Sequence, residues 1–131
     1  MNIYIGHSRN MDFKNGLYKT IRESKLNEEH NIILPHENSD EPYNSKEFLS
    51  TTCDLVIADV SDISLGLGVE LGWADSLNVP IICMYKRGSK VSNSLKVLTE
   101  HFVVYETEED MITQLTNLLP EYTNGCTRKS L

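Results

Sequence analysis

A chain of 131 residues, 40% hydrophobic and 24% charged, has the size and composition of one soluble globular domain with a single core. Its net charge of −7, with no basic stripe to offset it, argues against a duplex nucleic-acid binder but leaves room for a small phosphorylated ligand held by a few local donors. No apolar run approaches the ~20 residues of a membrane span. The three cysteines show no zinc-like spacing and the N-terminus lacks a basic-then-apolar leader, so a cytoplasmic protein without metal or cofactor is expected.

In chain order, residues 2–6 form a short β-rich run ending at Gly6. Residues 12–24 place Phe13, Leu17 and Ile21 on one helical face, with Asp12 as N-cap and Gly16 as a weak point. A second strand, 30–35, stops at Pro35, and the polar, turn-rich stretch 36–45 is a loop. Residues 45–52 are a short helix. The run 53–60 (CDLVIADV) is apolar almost throughout, as suits a central parallel strand covered on both faces. A helix over 67–78, a strand over 79–86, a loop, a short helix over 94–100, a strand over 101–106 and a helix over 108–119 complete the series. The acidic residues 106 and 108–110 suit a helix start.

This alternation predicts a three-layer α/β domain, flavodoxin- or Rossmann-like, with a five-stranded, mainly parallel sheet over 1–119 and a flexible C-terminal tail over 120–131. Ligands of such sheets collect at the carboxyl ends of the strands, here Gly6–Arg9, Pro35–Glu37, Ser61–Ser64 and Lys86–Ser94.

One stretch stands out there: SLGLGVELG, Ser64 to Gly72. Ser64 sits at a helix N-terminus, where unpaired N–H groups favour an anion. Glu70 lies one to two turns further in, flanked by Gly66, Gly68 and Gly72. Two readings are open: the glycines let a ligand approach the backbone beside Glu70, or they let the helix pack tightly on the sheet while Glu70 faces water. In the first loop, GHSRNMD, Gly6 permits a tight turn, and Ser8 and Arg9 can donate to a phosphate. His36 follows strand two. Lys86, Arg87, Ser89, Lys90 and Ser94 make a basic, hydroxyl-rich loop that either binds phosphate or is simply solvated.

With CDLVIADVSDISLGLGVELGWA, Gly6 and Arg9, Leu17–Tyr18, His36, Ser94 and HFVVYETEED, the chain resembles the nucleoside 2-deoxyribosyltransferase superfamily, closest to its 2′-deoxynucleoside 5′-monophosphate N-glycosidase branch. The resemblance covers nearly all of 2–119. It implies that Glu70 is a nucleophile that attacks the anomeric carbon and forms a glycosyl ester. Hydrolysis of (deoxy)nucleoside 5′-monophosphates is the activity expected. Base exchange by a deoxyribosyltransferase and a non-catalytic nucleotide-binding module are the alternatives. The resemblance further implies substrate binding by Gly6, Arg9, His36, Ser64, Gly66, Gly68 and Ser94, with Arg9 and Ser64 on the phosphate. Ser94 would come from the neighbouring subunit of a homodimer.

The chain also departs from the pattern. The family's acidic residue, eight positions before the aspartate that opens strand three, is Lys46 here; Glu47 or Asp40 is the nearest substitute. His7 stands where the branch has Ser, and Trp73 where an Arg is common. Ile3 stands where it has a Tyr, and Tyr4, on the opposite face of the strand, is not expected to replace it.

Overall fold

Five short runs form the sheet, and the most apolar of them, buried on both faces, lies at its centre. In the computed structural model, which describes residues 1–62 and 64–123, these are β1 (Asn2–His7), β2 (Asn31–Ile33), β3 (Leu55–Asp59), β4 (Ile81–Lys86) and β5 (Phe102–Tyr105). They pair in the order β2-β1-β3-β4-β5, and every pairing is parallel. The three-layer α/β expectation holds. β3 sits at the centre with all five residues buried, as its unbroken apolar run requires.

Alternation along the strands splits the core in two. Ile3, Ile5, Ile57, Ile82 and Met84 point to one face. There they meet α1 (Lys19–Arg22), α2 (Lys25–Glu29) and α5 (Glu108–Leu118) through Ile21, Leu26, Met111 and Leu115. Tyr4, Val56, Ala58, Ile81 and Cys83 point to the other face, under α3 (Ser45–Thr51) and α4 (Leu65–Ser76). Each such fully buried aliphatic side chain contributes about 1.5–3 kcal/mol.

Three local features differ from the sequence reading. The helix expected over 12–24 opens with a π-helical stretch, Phe13–Tyr18, before α1, and Asp12 caps it by accepting from the Asn15 N–H. α2 was not foreseen; its five residues carry one buried side chain, Leu26, too few to show a period. The helix expected over 94–100 is a 3₁₀ segment, Asn93–Val97. Pro120–Thr123 form a helical turn, α6. The rest of the expected tail, 124–131 with Cys126, lies outside the described residues.

α4 starts two residues earlier than expected and is capped as foreseen: Ser64 Oγ accepts from the Leu67 N–H at 3.3 Å. It ends at Ser76 with Leu77 as C-cap, and Asn78 follows with a φ of 61°, in the left-handed region that closes helices. The strand order reverses between β1 and β3, so the loop after β1 and the loop leading into α4 open side by side, the crevice where open α/β sheets bind ligands.

Candidate active site

That crevice is a cleft of about 510 Å³, within the ~300–1,000 Å³ of small-molecule sites. Arg9, His36, Ser64, Gly66 and Glu70 line it. Among the residues lining it, Glu70 is the one carboxylate.

Glu70 is held from the sheet. The Tyr4 hydroxyl donates to Glu70 Oε2 at 2.5 Å. Burial, reinforced by the Glu70 charge, pushes the Tyr4 phenol far above its ordinary range, so it remains a donor. Here the structure corrects the sequence reading. Tyr4 was expected to face away from the site, yet it lies on the α4 side of the sheet while Ile3 packs on the opposite side.

Gly6 completes the arrangement. A Cβ built there would lie 2.8 Å from Leu67 Cδ1 and 3.9 Å from Glu70 Oε1, so the bare backbone at Gly6 makes room for the tip of the Leu67 side chain beside the carboxylate. The other glycines behave differently. Gly66 borders the cleft, while Gly68 and Gly72 have nothing within 4 Å of a built Cβ. They are exposed on the outer side of α4 and do not serve helix–sheet packing. Gly68 lines a neighbouring apolar groove together with Ser94, and neither of them borders the Glu70 cleft of its own chain.

At the α4 N-terminus, Ser64 and the exposed Arg9 flank one end of the cleft, and Arg9 donates to the Asp40 carbonyl at 2.5 Å. Ser8 does not serve as a free donor: its buried hydroxyl donates to Asp62 Oδ2 at 2.6 Å and accepts from the Asn10 N–H. That bond ties the β1 loop to the β3–α4 loop and so spaces Arg9 from Ser64. A second tether lies beneath it. Asp59, 1% exposed, accepts from Tyr105 Oη at 2.6 Å and from the Ser61 N–H at 3.0 Å.

His36 borders the cleft, and its backbone N–H donates to Tyr18 Oη at 3.0 Å. The same Tyr18 hydroxyl lies 2.6 Å from His7 Nε2. His7 Nδ1 is 2.9 Å from the Ser8 carbonyl, which fixes the proton on Nδ1 and leaves Nε2 to accept from Tyr18. Burial lowers the pKa of both imidazoles, with the Arg9 charge the next cause at His36, so both favour the neutral form.

The candidates offered for the family's acidic residue do not reach the cleft. The Glu47 carboxylate accepts from Asn44 Nδ2, and Asp40 pairs with Lys14 at 3.8 Å. Lys46 extends over the Trp73 indole, 5.7 Å from its centroid. None of residues 86–90 borders the cleft either; Arg87 pairs with Glu106 at 2.9 Å. No group of three or more His, Cys, Asp or Glu among the described residues is arranged to hold a metal ion. No described helix is long and apolar enough to cross a membrane.

Fold and site together define an α/β protein with a carboxylate-centred cleft at the switch point of a parallel sheet. Its relatives narrow the class. Over 82 residues, 60% of this chain, it is 32% identical to the 5-hydroxymethyl-dUMP N-hydrolase of Danio rerio. Over 44 residues, 34% of this chain, it is 39% identical to a protein of Syntrophotalea carbinolica named "Putative 2'-deoxynucleoside 5'-phosphate N-hydrolase 1". These matches span 55% and 31% of the two relatives' own lengths. No protein-family model matches the chain. The solved structure of the CMP N-glycosidase of Clostridium botulinum superposes with a TM-score of 0.63 at 18% identity, covering 88% of this chain and 99% of that one, and shows the same fold. The resemblance to the 2′-deoxynucleoside 5′-monophosphate N-glycosidase branch, drawn from residues 53–74 and the supporting matches around them, is borne out by these relatives.

Proposed function

We propose that the chain is an N-glycosidase that hydrolyses the bond between base and sugar in (deoxy)nucleoside 5′-monophosphates. The observation that carries this reading is the Glu70 carboxylate, aimed into the cleft by Tyr4 and placed six residues beyond the α4 N-cap at Ser64. Six helical residues span ~9 Å. A phosphate at the N–H groups of the first turn, with Arg9 and Ser64 as further donors, sets the sugar against Gly66 and its anomeric carbon near Glu70.

In the first step a Glu70 oxygen bonds to the anomeric carbon as the carbon–nitrogen bond breaks, its electron pair leaving with the base. In the second, water cleaves the sugar–Glu70 ester and restores the carboxylate. A carboxylate nucleophile thus splits one hard displacement into two easier ones. The Tyr4 hydroxyl orients the carboxylate and stays protonated throughout. His36, neutral beside the sugar, offers a hydrogen-bonding partner to the substrate.

The reading includes a homodimer. Leu65, 87% exposed, and Val69, 43% exposed, border the cleft on α4, and the apolar groove that holds Ser94 opens along the same helix at Ser64, Leu67 and Gly68. A second copy seated there would cover these side chains and carry Ser94 toward its partner's cleft. The protein would act on soluble nucleotides in the cytoplasm.

The test is base release from nucleosides and their 5′-monophosphates, resolved by chromatography, with Glu70→Ala as control. Release from monophosphates alone, lost in the variant, is expected. Release from free nucleosides, or exchange with an added base, would indicate a transferase. Nucleotide binding without release would leave a binding module.

A further inference from the structure

His7, where the first loop departs from the pattern of the branch, closes β1 with both ring nitrogens engaged. Alternation along the strand puts it on the side of Ile3 and Ile5, facing the π-helical stretch Phe13–Tyr18, while Tyr4 and Gly6 face α4. The imidazole is 6% exposed, borders the cleft and lies against the Phe13 ring, with centroids 4.4 Å apart.

Two hydrogen bonds leave the ring. Nδ1–H donates to the Ser8 carbonyl at 2.9 Å, and Nε2 accepts from Tyr18 Oη at 2.6 Å. Tyr18 Oη in turn accepts from the His36 backbone N–H at 3.0 Å. Burial holds the Tyr18 phenol above its ordinary range, so the hydroxyl stays a donor. Beyond the Ser8 backbone, the Ser8 hydroxyl donates to Asp62 Oδ2 at 2.6 Å. The chain of bonds thus runs from the loop after β2, through Tyr18 and the end of β1, into the loop that leads to Ser64. It joins the three loops that carry His36, Arg9 and Ser64 to the cleft. None of these bonds reaches Glu70, which Tyr4 holds from the opposite face of the sheet.

We propose that His7 is a positioning residue: through Tyr18 it fixes His36, and through Ser8 the Arg9 loop, setting the width at which the cleft grips a sugar 5′-phosphate. The identity of that ligand rests on the N-glycosidase reading. An imidazole suits the task because, when neutral, it offers one donor and one acceptor. Protonation would set a second N–H against the Tyr18 hydroxyl and turn that bond around. Burial chiefly disfavours the charge; His36 and Arg9 add to this, and Asp59, the register partner of His7 on β3, opposes it. Phe13 and Tyr18, also packed on the ring, are uncharged. Because the chain holds the binding loops and leaves the nucleophile alone, its loss belongs in KM and not in kcat.

The test is calorimetric titration with ribose 5-phosphate and 2-deoxyribose 5-phosphate, beside base-release kinetics on nucleoside 5′-monophosphates, for the full chain, Tyr18→Phe, His7→Ala and His7→Gln. Tyr18→Phe removes both bonds of the hydroxyl and keeps the ring against Phe13. It should raise the Kd for the sugar phosphates, and KM, by about 10-fold, with kcat changed by less than about 3-fold. His7→Ala should behave alike. His7→Gln, whose amide oxygen can accept from Tyr18, should recover most of the loss at neutral pH. Below about pH 6.5 the KM of the parent should rise more steeply than that of His7→Gln, because only the parent loses its Nε2 acceptor to a proton. The substrate phosphate and His36 titrate in both and cancel in the comparison. Unchanged Kd and KM in Tyr18→Phe, an effect confined to kcat, or parallel pH profiles for the parent and His7→Gln would overturn the proposal. So would a parent that binds neither sugar phosphate. Should His7→Ala fail to fold, Tyr18→Phe and His7→Gln decide. No base release from any nucleotide would overturn the N-glycosidase reading instead, and the sugar-phosphate titrations would still decide the role of His7.

Discussion

The Tyr4 hydroxyl and the Glu70 carboxylate meet at 2.5 Å, joining the second residue pair of the β1–β3 ladder to the middle of α4 across 66 positions of sequence. The bond needs two conditions at once: Tyr4 on the α4 face of the sheet and Glu70 on the side of its helix that faces the cleft. Removing the hydroxyl alone tests its share. Tyr4→Phe preserves the ring's packing against Tyr43 and Phe48. Base release should fall by about 10- to 100-fold, chiefly in kcat, with stability changed by less than about 1.5 kcal/mol. Steady-state kinetics and a urea titration measure the two effects separately.

Two glycine substitutions should move stability in opposite directions. Gly6→Ala places a methyl group against the Leu67 side chain, which is buried and must turn aside, and should cost about 1 kcal/mol. Gly72→Ala meets nothing within 4 Å and replaces a poor helix former, so it should add about 0.5–1 kcal/mol. Denaturant midpoints of the two variants against the parent decide this.

Acid should destabilise the fold before the carboxylates titrate. His7, His30 and His36 all have pKa values lowered by burial, with nearby positive charge contributing at each. Between the depressed folded value and the ordinary imidazole value the unfolded chain binds more protons. Stability therefore falls as pH drops below about 6.5 and is regained above it. Urea midpoints should decline from pH 7.5 to 5.5, and His7→Gln should flatten part of that slope. The Arg22–Glu37 pair, which holds the Glu37 pKa down, adds a further loss only below the ordinary carboxylate range.

If each cleft uses its own Glu70 and its partner's Ser94, two inactive variants should rescue each other. A mixed dimer of Glu70→Ala and Ser94→Ala subunits contains one cleft with both groups intact. After refolding an equal mixture, activity should approach about a quarter of the parent's, well above either variant alone. Activity that stays at the average of the two variants would place Ser94 outside the partner's cleft.

Much of the fold was legible because it is written in short-range patterns. The apolar runs 53–60 and 79–86 suited buried strands and hold β3 and β4, and Ser64 caps the helix that follows by accepting a backbone N–H. α2 escaped because five residues with one buried leucine carry no period. Within the site, Glu70, Arg9, His36, Ser64 and Gly66 do line one cleft. The sequence also suggested Gly68 as a neighbour of the ligand, but it turns outward with Ser94 because the helix rotates ~100° per residue.

What the sequence determined by itself was therefore the alternation of strands and helices, the cap of α4 and a single well-placed carboxylate among glycines, since each depends on neighbours within a turn or two. Tertiary structure alone decided which groups surround that carboxylate. The register of β1 against β3, Ile3 opposite Leu55 and Tyr4 opposite Val56, turns Tyr4 toward Glu70, and the packing of α3 on α4 lays Lys46 over Trp73. A shift of one residue in that register would reverse every side chain of β1. No local pattern in the chain records which of the two faces its partner helix covers.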